Sequence, residues 1–271
     1  MAGTYEQFVA FGTDLVGLER LLRLFQSACS LLIAYPLLLA AVWPNSPPVI
    51  QAAKATGLAT VRGQLNVSRR FIRLFRFLDT LKAGWEPYVG VEEKSLEVWL
   101  GIISKTSLGL FGMTETMTLV DLMGIDSLQV FGPVRSKEID AQAQYFWFVG
   151  LAASVLASII KLNGIDASVP SEDAAKTAVA EKDGPEEDAE KETPEKSAAE
   201  AEKEKQRQRA VSAKKKVLVR GLVSDTVDML LPGSAIGLVN ITPGQVSAAM
   251  FFTTLTTGWA AWDRTGAKLQ Q

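Results

Sequence analysis

Histidine is absent from this chain, and cysteine occurs once, at Cys29. Without histidine there is no Ser-His-Asp triad, no Cys-His pair and no imidazole metal ligand within the chain. Cys29 has no disulfide partner and sits in the apolar run Ala28–Ala34, so it reads as a small buried hydrophobe of a reducing compartment. The glycine-containing stretch Gly109–Gly112 lacks the GxxxxGK[ST] or GxGxxG spacing by which backbone amides cradle phosphates. No spacing of Asp and Glu singles out an acid–base pair. The sequence therefore predicts no catalytic residue, no metal site and no cofactor, and points to surfaces as the working parts.

Early positive charge is also missing. The first basic residue is Arg20, after Glu6, Asp14 and Glu19, which fits neither a positive secretory n-region nor an Arg-rich transit peptide. Lys268–Gln271 (KLQQ) does not form the SKL peroxisomal address. Delivery is expected to rest on internal information, such as a membrane segment with flanking basic residues.

What the chain has in plenty is apolar surface. Of 271 residues 48% are hydrophobic, although 28 Lys+Arg and 30 Asp+Glu are also present. The charges are unevenly placed. Residues 171–205 hold 13 of the 30 acidic residues with six lysines, and residues 206–220 carry six basic residues and no acid. The segment 163–213 has few large apolar residues, so it is expected to be a disordered charged linker, helical at most in Ala198–Ala213. It divides an N-terminal helical region, 1–162, from a C-terminal region, 214–271. The basic run Arg207–Arg220 lies between apolar stretches, so no nucleic-acid partner is expected.

The periodicity is helical throughout. Leu15, Leu18, Leu22, Phe25 and Cys29 recur on one helix face. The run Leu24–Trp43 is uncharged and long enough to span a bilayer, but Pro36 interrupts it, which favours a buried or membrane-embedded hairpin. Ala141–Ile160 is 20 residues without a charge, bounded by Asp140 and Lys161. Its Tyr145-Phe146-Trp147 cluster suits an interface, and Gly150/Ser154 and Ala153/Ala157 offer small-residue faces for self-association. A transmembrane helix is expected there, the alternative being the central helix of a soluble bundle. Val246–Trp262 is a second transmembrane candidate. The fold class is thus all-α: a helical membrane protein with amphipathic helices, one or two transmembrane helices or hairpins and the charged linker.

The segment Asn66–Trp85, NVSRRFIRLFRFLDTLKAGW, is the main candidate for function. At about 100° per residue, Arg69, Arg73, Arg76 and Thr80 form one stripe of a continuous helix. Val67, Phe71, Leu74, Phe75, Leu78 and Leu81 cover the opposite side, with Arg70 and Lys82 at the boundary. Such a helix lies in the plane of an anionic membrane, or packs its apolar face on its own protein.

Ser68–Trp85, following ERLLRLFQSACSLLIAY (Glu19–Tyr35), resembles the N-terminal half of the peroxisomal biogenesis factor 11 (peroxin-11) family. The likeness continues at VLVRGLVSDTVDMLLPGSAIGL (Val217–Leu238), whose Asp225, Asp228, Pro232 and Gly237 are similar to the family's paired aspartates before a proline and glycine. The long acidic linker resembles fungal-type members. The resemblance implies a peroxisomal membrane protein, not an enzyme, that promotes elongation, proliferation and fission of the organelle by bending the cytosolic leaflet. It implies Arg69, Arg70, Arg73 and Arg76 on lipid headgroups and Phe71, Leu74, Phe75 and Leu78 in the acyl boundary. The partners it implies are an anionic phospholipid membrane, further copies of the chain, and dynamin-type fission machinery with its adaptors. Lys105, Glu115, Asp225 and Asp228 keep two alternatives open, an oligomeric metabolite channel and an adaptor recruiting the fission machinery.

Overall fold

A computed structural model describes residues 3–168 and 194–269. Among these the fold is all-α, with helices α1 (Thr4–Thr13), α2 (Leu15–Ala34), α3 (Pro36–Val42), α4 (Pro48–Ile72), α5 (Arg76–Gly90) and α6 (Leu96–Met117). A short α7 (Leu119–Leu122) and a 3-10 turn lead to the long α8 (Gly132–Ser168). Then come α9 (Pro194–Asp228), α10 (Leu230–Ala235) and α11 (Pro243–Lys268). Residues 169–193 of the expected disordered linker lie outside the described residues. Its two ends, 163–168 and 194–213, are helical and extend α8 and α9.

The helix boundaries follow local chemistry. Asp14 caps α2 by accepting from the amides of Val16 and Gly17 at 3.1 and 3.2 Å. Thr242 and Gln245 form a capping box on α11, and Pro36, Pro48 and Pro243 open their helices where no amide is needed. Asp121 Oδ1 accepts from the amides of Phe131 and Gly132 at 2.9 and 2.8 Å, fixing the entry into α8. At Tyr35 the chain bends by 108°, so α2 and α3 form a broken pair, in keeping with the proline interruption.

Helix contacts run in a closed cycle. α4 packs on α2, α2 on α11, α11 on α9, α9 on α8, α8 on α6 and α6 on α5, which joins α4 through Arg73–Phe75. The two helical regions thus close on one another. Gln7 in α1 donates to the Trp262 carbonyl at 3.0 Å, and Phe11 meets the Trp262 ring edge-on at 5.5 Å, adding α1 to the seam.

The distribution of polarity across this ring is inverted relative to a soluble bundle. The largest fully buried side chains are Glu19, Thr118, Thr253, Thr254, Pro232 and Ser27, none of them a large hydrophobe. Large apolar residues such as Leu37, Leu96, Leu156 and Trp259 instead face outward. Water would penalise that arrangement, whereas hydrocarbon favours it, because lipid tails are as apolar as leucine. Within α8, Gly132–Ile165 is long and apolar enough to cross a bilayer, yet only 22% of its most apolar window is buried inside the protein. A central helix of a soluble bundle would be mostly covered. The broken pair α2–α3 passes the same test only if taken together, and α11 does not pass it. The four threonines Thr253, Thr254, Thr256 and Thr257 make α11 less apolar than its uncharged run suggests.

Close helix approach depends on small residues. A Cβ on Gly150 of α8 would lie 2.8 Å from Leu108 Cγ of α6, and one on Gly109 would lie 2.5 Å from Leu81 of α5. Ala153 and Ala157 are buried, and Ser154 bonds to α9, so both small-residue faces of α8 pack within the chain. Self-association would therefore use other surfaces. Gly150→Val is expected to lower the thermal unfolding midpoint in detergent sharply. Gly221→Ala, on an open face of α9, is expected to raise stability by about 0.5–1 kcal/mol.

Candidate functional site

The segment Asn66–Trp85 is not one helix. α4 ends at Ile72, Arg73–Phe75 make a tight turn, and α5 begins at Arg76. The Leu74 carbonyl, freed from the helical ladder, accepts from Thr116 Oγ1 of α6 at 2.9 Å. The expected continuous helix is thereby corrected. The reason is tertiary: the break lets successive arginines reach carboxylates on three different elements.

Arg69 is buried and donates Nε and Nη2 to Glu19 Oε1 on α2 at 3.0 and 2.7 Å, while its Nη1 donates to Gln26 Oε1. Arg70, also buried, forks onto both oxygens of Asp140 in α8 at 3.2 and 3.3 Å and reaches Thr118 at 3.1 Å. Arg73 pairs with Glu115 of α6 at 3.0 Å, and Arg70 Nε approaches the same carboxylate at 3.5 Å. Across the ring, Arg23 Nη2 meets Asp228 Oδ1 at 2.7 Å, an atom that also accepts from Thr253 at 2.6 Å. Burial lowers the Arg69 pKa to about 10, countered by the carboxylate of Glu19, so the guanidinium stays charged at neutral pH.

Of the residues assigned to headgroups by resemblance, three therefore face inward: Arg69, Arg70 and Arg73 are held by the protein's own carboxylates. Arg76 is exposed and has no side-chain partner among the described residues. The apolar members divide differently. Phe71, Phe75 and Leu78 are 48%, 67% and 54% exposed on the outer surface, and Leu74 is half-buried. The residues are brought together, but with the charged side turned in and the aromatic side turned out.

The inner ends of these clamps enclose a cavity of about 440 Å³ at the centre of the helix cycle, lined from α2, α4, α5, α6, α8, α9, α10 and α11. Charged groups and threonines share the wall with Phe111 and Trp147, whose rings stack at 5.2 Å. Glu115, Asp225 and Asp228 were legible as lone charges in apolar surroundings. Glu19 and Asp140 were not singled out, although Asp140 marks the end of the longest uncharged run of α8. Among the described residues, no group of three or more carboxylates or thiols is placed to hold a metal ion.

Residues 5–262 match the family described as Peroxisomal biogenesis factor 11 (PEX11). The chain belongs to this family. No curated protein and no solved structure matches it. As a PEX11-family member it is a peroxisomal membrane protein and a biogenesis factor of that organelle, which agrees with the outward apolar surface.

Two outcomes test the network of this PEX11-family chain. Arg69→Ala leaves Glu19 buried without its partner and is expected to cost about 3–5 kcal/mol, read as a fall in thermal midpoint. Asp225 should behave oppositely. Its side-chain partner is the Ser154 hydroxyl, which donates to it at 2.6 Å, and no arginine pairs with it among the described residues. An amide keeps that acceptor without the charge, so Asp225→Asn is expected to leave the midpoint at pH 7 unchanged or higher.

Proposed function

We propose that this chain promotes elongation and fission of peroxisomes by wedging the outer face of the α4–α5 junction into the cytosolic leaflet. The observation that carries the reading is the Arg70–Asp140 clamp. Asp140 is the last charge before the uncharged run Ala141–Ile160 of α8. A residue bound to it sits where headgroups give way to hydrocarbon. Phe71 follows Arg70 directly, and Phe75 and Leu78 continue the same outward face across the break. The apolar face is thus pinned at the boundary and kept from sinking into the core.

The composition of the flanking helices supports an interfacial position. α4 exposes Arg62 and Gln64, and α5 exposes Asp79, Lys82 and Glu86, groups too costly for the hydrocarbon centre. A shallow insertion of about 5–10 Å expands one leaflet and bends the membrane toward it. Full burial of each large apolar side chain is worth about 1.5–3 kcal/mol, so three of them supply several. Exposed cations such as Arg62 and Lys82 add about 1 kcal/mol each near an anionic surface. The arginines that looked like the headgroup contacts act as the internal mount of the wedge. The tubule so formed would be the substrate on which dynamin-type fission machinery assembles.

The test uses the full-length protein reconstituted in anionic vesicles. Phe71→Ser, Phe75→Ser and Leu78→Ser combined are expected to abolish tubulation, and peroxisome elongation in cells, with the unfolding midpoint unchanged. Asp140→Asn, which weakens the mount but leaves the apolar face intact, should also reduce tubulation. Full tubulation by the triple variant would refute the wedge.

A further inference from the structure

The central cavity holds more guanidinium than its carboxylates neutralise. Four of its six arginines are committed: Arg23 to Asp228, Arg69 to Glu19, and Arg70 and Arg73 to Glu115, with Asp140 adding to Arg70 from outside the wall. Two are not. Arg20 touches only Glu19, its Nε 3.5 Å from Oε2, while Arg69 donates to Oε1 of the same carboxylate. The other nitrogens of Arg20 have no partner among the described residues. Arg76 has no side-chain partner among them. The two guanidiniums line the same cavity from α2 and α5, and Arg20 feels the attraction of Glu19 and Asp228 as well as the like charges of Arg23 and Arg76. Six guanidiniums against the four lining carboxylates Glu19, Glu115, Asp225 and Asp228 leave an excess of positive charge in a half-enclosed space, which makes an anion site.

The cavity also specifies the rest of the ligand. Its volume of about 440 Å³ falls within the ~300–1,000 Å³ typical of small-molecule sites. Phe111 and Trp147 offer a stacked apolar wall beside the arginines. On α8 the lining residues are Gln144, Trp147 and Leu151, so at 1.5 Å rise per residue the site ends about 17 Å from Asp140. The site thus extends a little over half-way along the 20-residue uncharged run, starting from its Asp140 end. Two guanidiniums match a phosphate monoester, which carries about −1.5 to −2 charge at pH 7, better than a single carboxylate.

We propose that this cavity binds the phosphate monoester headgroup of a lipid, with Arg20 and Arg76 clamping the phosphate and Phe111 and Trp147 against its apolar part. The site is distinct from the outer wedge. Phe71, Phe75 and Leu78 face away from it, and loss of one does not entail loss of the other.

The full-length protein in phosphatidylcholine nanodiscs is titrated with short-chain phosphatidic acid or with inorganic phosphate, and binding is followed by calorimetry and native mass spectrometry. One saturable phosphatidic acid per chain is expected. Arg20→Gln and Arg76→Gln are each expected to weaken it about 10-fold or more, Arg76→Lys to restore part of the affinity, and Arg135→Gln, remote on α8, to change nothing. Unfolding midpoints without ligand separate lost binding from lost folding, and Arg76, exposed and unpaired, should leave them unmoved. No saturable binding, or unchanged wild-type affinity in both glutamine variants, would overturn the proposal. Inorganic phosphate bound as tightly as phosphatidic acid, with the same arginine dependence, would overturn its lipid half.

Discussion

The arginine–carboxylate clamps inside the ring are the constraint on which the other features depend. A charge in hydrocarbon is costly unless it is paired and hydrogen-bonded, and each buried arginine here reaches a carboxylate on a different helix. Arg69 joins α4 to α2, Arg70 joins it to α8, and the neighbouring Arg73 joins the turn to α6. Moving any of these helices away would strand a charge. The clamps therefore fix which helices are neighbours, a task that apolar contacts do poorly where lipid offers equivalent contacts everywhere.

That constraint explains the broken helix at Arg73–Phe75. A continuous helix places Arg69, Arg73 and Arg76 on one stripe, all aimed at one partner surface. The break turns Arg69 and Arg73 toward separate acids, leaves Arg76 without one, and keeps Phe71, Phe75 and Leu78 together on the outside. The local loss of helical hydrogen bonding is partly made good by Thr116 on the Leu74 carbonyl. Local propensity favours a straight helix here, and tertiary charge pairing overrides it.

Much of this was legible in the sequence, and the remainder was hidden for a definable reason. Helical periodicity gave the all-α class, the uncharged run Ala141–Ile160 marked the span within α8, and Pro36 marked the bend at Tyr35. The apolar and charged faces of Asn66–Trp85 were legible, but not the side each faces, because period alone tells which residues share a face and says nothing of what meets that face. Here Arg69, Arg70 and Arg73 turn inward and Phe71, Phe75 and Leu78 turn out. Two of the acids that hold the arginines in, Glu19 and Asp140, lie 50 and 70 residues from their arginines, beyond the reach of any local pattern. The small-residue faces of α8 were likewise visible, but only the packed helices show that α6 and α9 occupy them.

The seam between α1 and α11 carries a mechanical consequence. Gln7 bonds to the Trp262 carbonyl and Phe11 rests on its ring, so the first and last described helices meet at one point. Two groups in hydrogen-bond contact share one depth relative to a bilayer. The start and the end of the described chain are therefore held at a common level, and a displacement of α1 is passed directly to α11.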